Sequence, residues 1–509
     1  MDSLSNTLIK VLLIFLSLNT ELISAQNYEA VKTDATTYFY DSVTMDIIPI
    51  RIDSVAITGN EIQFSAMRQI RPTDYSCYII DGASWLGDEV VEKPDGTFVF
   101  TIYPISPGDS AQTYRIQTHA GLNQPWNFYN YHFVNHHIEA NVTGIVIKPF
   151  LELTDSVKVI TLFRKDALGQ VVSDPINSQK ILLSKNYGLI RLPKFDDLPY
   201  LNKFYDIVGK TNPETGITNI NTMQIFDFEP GDEFHTVYYD RYFSIPYPET
   251  TISTIMKVLS KIPDLNGSSV TYVFEQCQSS SYKLSDTNST ITYRFDTISQ
   301  TYSTELTPEF ESEPLEPVML LSNNWMIKTT MGLSNDPLFP FPDKPYKAIP
   351  SLEAYSFNSQ ECYIPVMIDG CLTSIYYFKG LGGPYYQCSE ISWGPSWNLL
   401  KYYKKGSETW GTPLDCDSLL KVSITESPLI QKVKIYPNPT SGTIMVSIPE
   451  NIQFPCTLEI FDISGRFLRA FTLNQQTQSF DLSNIPAGLY NYKVTTTKGE
   501  TFRGKIIRQ

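Results

Sequence analysis

The residues of this chain that could do chemistry are few, and their spacing restricts what they could do. Seven cysteines are present. Six lie well upstream of the C-terminus, at Cys77, Cys277, Cys362, Cys371, Cys388 and Cys416, and six thiols allow 15 pairings between which sequence alone does not choose. Cys362, Cys371, Cys388 and Cys416 cluster, so local bridges are expected among them. A zinc site is the rival, but no two are spaced as the tight C-x₂₋₄-C that brings two thiolates to one metal. Three of the five histidines fall together as His132, His136 and His137, followed by Glu139. On a strand His132 and His136 share one face while His137 and Glu139 take the other, which is two ligands per face where a metal needs three or four. These are expected to be solvated strand histidines.

Other motifs are weaker still. No G-x-S-x-G elbow and no H-E-x-x-H pair occurs. Gly380-Leu381-Gly382-Gly383-Pro384 has the glycines of a phosphate loop without the Lys-Ser/Thr that follows one, so it is expected to be a turn. Trp393, Trp397, Tyr402, Tyr403 and Trp410 could form a sugar-stacking surface, although packing inside a small disulfide-tied lobe is the better reading. Asp196-Asp197 and Asp232-Glu233 could meet Ca²⁺, but neither has EF-hand spacing. Paired carboxylates for glycoside hydrolysis are not recognisable without knowing which meet in space. No catalytic residue, metal ligand or cofactor is assigned.

The elements that must position these residues are mainly β. Aromatic residues make up 13% of the 509 residues and charged residues only 18%, a bias that suits pleated, half-buried surfaces. Thr97 to Ile102 lies between Pro94-Asp95-Gly96 and Pro107-Gly108-Asp109, as hairpin chemistry requires. Val270, Tyr272 and Phe274 alternate with polar neighbours, and so do Ile291, Tyr293 and Phe295. Thr251 to Ile262 fits a helix or a strand; its β-branched content favours a strand. Prolines crowd the stretch from Pro308 to Pro350, which is expected to be a long loop or an inter-lobe crossing. The length implies several domains: β-rich regions at 26–229 and 230–425, the second holding the cysteine cluster, then a smaller one at 429–509. Antiparallel sandwiches and meanders are the expected architecture. A net charge of −15 argues against a nucleic-acid partner.

The two ends read as delivery signals. Lys10, the apolar run Val11 to Leu18 and the small residues Ser24 and Ala25 before Gln26 form a secretory signal peptide over residues 1–25, with cleavage expected between Ala25 and Gln26. No later stretch is long and apolar enough to be a transmembrane helix. At the other end come Tyr436-Pro437-Asn438-Pro439 with Gly442, a turn from Asp462 through Gly465 to Arg466, then Gly488-Leu489-Tyr490, and a basic-aliphatic ending from Lys505 to Arg508. In this order the segment resembles the type A C-terminal sorting domain of proteins exported by the type IX secretion system, with Cys456 departing from a usually cysteine-free pattern. The resemblance implies an immunoglobulin-like β-sandwich and recognition by the outer-membrane translocon. It further implies removal by a sortase-like peptidase, with the passenger released or attached to surface lipopolysaccharide. The expected product is a secreted or outer-surface protein whose passenger binds rather than catalyses. A secreted hydrolase acting on polysaccharide or protein is the alternative.

Overall fold

The computed structural model describes residues 28–420 and 433–509 apart from 73–76, 105–109, 196, 199–202, 242–247, 286–287, 321–324, 335–338, 340, 342, 351–353, 358–361, 367–373, 389–393, 450–451, 464 and 498–500. The expected signal peptide and its cleavage point at Ala25 and Gln26 lie outside the described residues, as do Cys371, Trp393 and Asp196. The fold is mainly β and antiparallel, and the chain divides into two compact units, Met1–Leu420 and Lys421–Gln509.

The first unit begins as a sandwich. One layer is a nine-stranded sheet in the order Pro125–Asn130, His137–Phe150, Leu153–Lys165, Lys180–Ser184, Gly188–Pro193, Phe204–Thr211, Thr37–Tyr40 and Ile47–Ile50, with Glu214–Gly216 beside Phe204–Thr211. The other has five strands, Ile52–Thr58, Glu61–Ala66, Glu89–Glu92, Thr97–Ile102 and Gln112–Gln117. Their inward residues form one core in which Phe98, Phe100, Tyr114 and Ile116 meet Ile138, Ala140, Ile160, Leu162, Ile181 and Leu183. Each large apolar side chain removed from water there contributes about 1.5–3 kcal/mol before entropy is counted. Successive residues of a strand face opposite ways, and Thr37–Tyr40 uses this fully: Phe39 enters the first core and Tyr38 a second.

That second core lies under a ten-stranded sheet in the order Asn288–Ser303, Ser269–Ser285, Glu249–Pro263, Glu233–Arg241, Ser396–Lys405, Gly382–Cys388, Ile375–Phe378, Pro345–Ile349 and Thr330–Leu333, with Glu408–Gly411 beside Ser396–Lys405. Residues 251–262 are therefore strand, as their β-branched content indicated. The alternation at Val270, Tyr272 and Phe274 is real, all three being buried in this core.

The proline-rich stretch differs from expectation. It contains a helical turn, Pro308–Glu311, and short strands at Val318–Leu320, Trp325–Ile327, Thr330–Leu333 and Pro345–Ile349. Pro345 opens its strand, where a missing ladder donor costs least. Two of these strands join a six-stranded sheet that runs Val318–Leu320, Trp325–Ile327, Ala354–Phe357, Tyr363–Val366, Tyr78–Asp81 and Gln69–Pro72. Here Tyr363 pairs with Tyr78. Their neighbours Cys362 and Cys77 form a disulfide with Cα atoms 5.6 Å apart, and Cys416 likewise bonds Cys277 across 6.0 Å. The expectation of local bridges is thus corrected for Cys362 and Cys416, because strand order carries each to a distant partner. Cys388 is disulfide-bonded as well.

Candidate functional site

The second unit is the region whose sequence carried most signal. A three-stranded sheet, Lys434–Tyr436, Thr443–Ser447 and Thr477–Asp481, shares one apolar core with a four-stranded sheet in the order Phe467–Leu473, Cys456–Phe461, Gly488–Thr495 and Thr501–Arg508. Ile444, Val446, Leu458, Ile460, Val494 and Ile506 are wholly or almost wholly buried in it. Cys456 is free and buried in this core, and burial pushes its thiol pKa up.

Each motif residue has a mechanical task. After Tyr436 the chain turns through the cis bonds Tyr436-Pro437 and Asn438-Pro439. Asn438 then grips one edge of the final strand with both ends of its amide: its Nδ2 donates to the Lys505 carbonyl at 2.8 Å, and its Oδ1 accepts the Ile507 amide at 2.8 Å. Thr440 continues the seam, its amide donating to Ile507 and its carbonyl accepting from Gln509. Gly442 has φ +154°, outside the usual range of L side chains; its carbonyl accepts the Leu482 amide at 2.6 Å. Asp462 closes its turn by accepting the Arg466 amide at 3.0 Å and pairing with the Arg466 guanidinium at 3.2 Å, while Gly465 takes φ +82°. Tyr490 folds back to donate to the Pro486 carbonyl at 2.6 Å. On the outward face, Lys505 stands beside Asn491 and Arg503 beside Lys493. These four line a shallow cavity of about 540 Å³, which therefore carries a cationic rim.

In the first unit the sequence candidates separate. Only His137 and Glu139 lie on a strand; residues 131–136 form the turn that precedes it, so the strand expected to carry His132 and His136 is corrected. His136 Nδ1 lies 3.1 Å from Arg164, whose guanidinium covers the Tyr131 ring and pairs with Asp174, and Glu139 pairs with Lys165 at 2.7 Å. No group of three or more potential ligands comes together among the described residues. The glycine segment is the hairpin turn between Ile375–Phe378 and Gly382–Cys388, with Gly380 at φ +71° and Gly382 at +74°. Of the aromatic residues, Tyr403 is buried with Phe341 and Trp410 against it. Trp397 stacks on Tyr239 with centroids 4.1 Å apart, so each ring covers a face of the other, and Tyr402 packs on His235. The described residues of the acidic pairs are structural. Asp232 is buried and accepts from the Glu229 and Gly406 amides and from Lys405; Glu233 bonds His235; Asp197 pairs with Lys194 and Lys203.

Sequence reading missed one buried polar cluster. Lys347 is fully buried, and its Nζ donates to Asn219 Oδ1 at 2.8 Å, the Phe310 carbonyl at 2.8 Å and the Ser312 carbonyl at 2.6 Å. Burial pushes its pKa down to about 7, against the pull of Glu313 and neighbouring glutamates. Glu313 accepts two contacts from the Tyr38 hydroxyl, at 2.9 and 2.8 Å, and desolvation raises its carboxyl pKa. Lys158 plays a similar part in the sandwich: its Nζ bonds the Thr118 and Ala120 carbonyls and lies over the Tyr28 ring, while burial lowers its pKa to about 8. Both amines join chain segments that are distant in sequence.

Comparison with known proteins agrees with this division. No curated protein matches the chain. Among solved structures, the extracellular domain of a candidate one component system, BT4673 from B. thetaiotaomicron, is 6% identical, covers 95% of this chain and 98% of its own, and has a TM-score of 0.12. The extracellular domain of a candidate hybrid two component system of that name is 7% identical over 93% and 91%, with a TM-score of 0.13. Scores this low carry no argument about fold or function. Residues 434–509 match the family model of the secretion system C-terminal sorting domain. The second unit is therefore a type IX secretion C-terminal sorting domain, and it marks the chain for export to the outer cell surface or beyond.

Proposed function

We propose that the first unit is a binding or envelope-surface passenger, delivered by a C-terminal module that the outer-membrane translocon reads as a folded object. A sortase-like peptidase then cuts ahead of the module and either releases the passenger or joins it to lipopolysaccharide. The observation that carries this reading is that the module has its own closed core, which a transport machine can recognise whatever cargo precedes it. For the passenger, the support is that its buried polar groups Lys347, Lys158, His235 and Asp232 each hold strands or turns together and, among the described residues, do not converge on a cavity.

The test is removal of residues 434–509 followed by fractionation of the cells. The shortened chain is expected to stay inside the outer membrane; arrival outside at the intact chain's level overturns the proposal. Incubating the exported passenger with polysaccharides and proteins checks the second half. Release of sugars or peptides would replace the binding reading with a secreted hydrolase.

A further inference from the structure

The strand Asn288–Ser303 ends the ten-stranded sheet. One side pairs with Ser269–Ser285, and among the described residues no strand pairs with the other. Such an edge is a template for another strand, and proteins usually blunt it with proline, lysine, a bulge or brevity. This one is 16 residues long, contains neither proline nor lysine, and exposes 47% of Ile291 and 58% of Phe295. Helical elements meet the strand at two places: Phe226, which caps Thr222–Ile225, stacks on Tyr302 at the far end, and Cys416–Leu420, tied through Cys416 to Cys277 opposite Phe295, lies against its middle; among the described residues neither supplies a strand to the edge.

Its two charges are placed symmetrically. Arg294 and Asp296 flank Phe295 and are the only charged residues in the strand. They lean on each other, Arg294 Nε to Asp296 Oδ2 at 2.5 Å, which leaves Asp296 Oδ1 buried without a hydrogen-bond partner. Consider a second copy of the strand laid antiparallel, with the two-fold axis at Phe295. Arg294 then stands opposite Asp296 of the second copy, and Asp296 opposite its Arg294, so the orphan oxygen gains a donor twice over. On the other face Phe295 meets Phe295, Tyr293 meets Thr297 and Ile291 meets Ser299, pairs that suit a sheet. Slipping the register by one residue breaks both ion pairs, and slipping it by two sets like charges opposite each other.

We infer that the edge from Ile291 to Ser299 is an isologous dimerisation surface, through which two copies of this chain join their ten-stranded sheets into one continuous sheet. Sedimentation of the purified chain over a concentration series tests it. The wild type is expected to dimerise. Arg294→Asp and Asp296→Arg are each expected to raise the dimer Kd about tenfold or more by setting like charges across the axis. An equimolar mixture of the two variants should form a heterodimer, because every 294–296 pair is then opposite in sign, and the doubly exchanged Arg294→Asp/Asp296→Arg chain should recover the homodimer. Recovery also shows that the single variants are folded. A wild type that stays monomeric, or a dimer indifferent to these exchanges, overturns the inference. So does protection of amides 291–299 that appears only when another protein occupies the edge.

Discussion

The two units bury apolar surface in the same way and close their folds in opposite ways. The passenger is closed by contacts distant in sequence: the Cys77–Cys362 bridge spans 285 residues, Cys277–Cys416 spans 139, and Lys347 joins its strand to the segment 308–313. The sorting module is closed by side chains that bond nearby backbone, as Asp462 and Tyr490 do, and by one seam between its first and last strands. Long-range closure makes cargo stability hostage to oxidation and to correct strand order. Local closure gives a module that can be the same on any cargo.

The largest effect should separate the units most sharply. Replacing Cys77 and Cys362 by serine is expected to cost the passenger about 4 kcal/mol, since a long loop is freed in the unfolded chain. In calorimetry the passenger transition should move down while the module transition stays. If both move together, the units are not independent.

Next in size is Lys347→Met, which strips donors from Asn219, Phe310 and Ser312 and should cost the passenger about 3 kcal/mol. It also has a pH signature. The folded pKa is depressed to about 7 from 10.5, so between pH 7 and 10 the unfolded chain holds a proton that the folded chain has released. Passenger stability should therefore rise with pH across that window, with Lys158 acting in the same direction above about 8. In the methionine variant the rise should shrink, which denaturant melts at several pH values would show.

Within the module the effects are smaller. Asn438→Ala leaves the Lys505 carbonyl and the Ile507 amide unpaired at the seam, for an expected loss of about 2 kcal/mol with the passenger untouched. Tyr490→Phe removes one hydrogen bond to Pro486 and should cost about 1 kcal/mol. If Asn438→Ala costs less than Tyr490→Phe, the seam is not what closes the module.

The same contrast decides what could be read from sequence. Period-2 alternation exposed the strands at 269–285 and 288–303, and turn residues bounded the hairpins, because these signals are local. In the module the turn-forming residues were visible, since prolines, glycines and Asp462 act within a few residues of themselves, whereas the bonds of Asn438 to the final strand were not. Lys347 was invisible: on a short strand a lysine looks solvated, and only the arrival of Phe310 and Ser312 from elsewhere buries it. Cys362 was visible as a thiol but not as the partner of Cys77, because the pairing of Tyr363 with Tyr78 lies in the topology. The histidine face failed for a local reason, as the chain turns at residues 131–136 before the strand begins.

The seam has a consequence for timing. Thr501–Arg508 is the last strand of the module to leave the ribosome, yet it supplies Ile506 to the core and both backbone groups that Asn438 grips. Under the proposed reading, a polypeptide cut short by even one strand carries an unfinished module and is not exported.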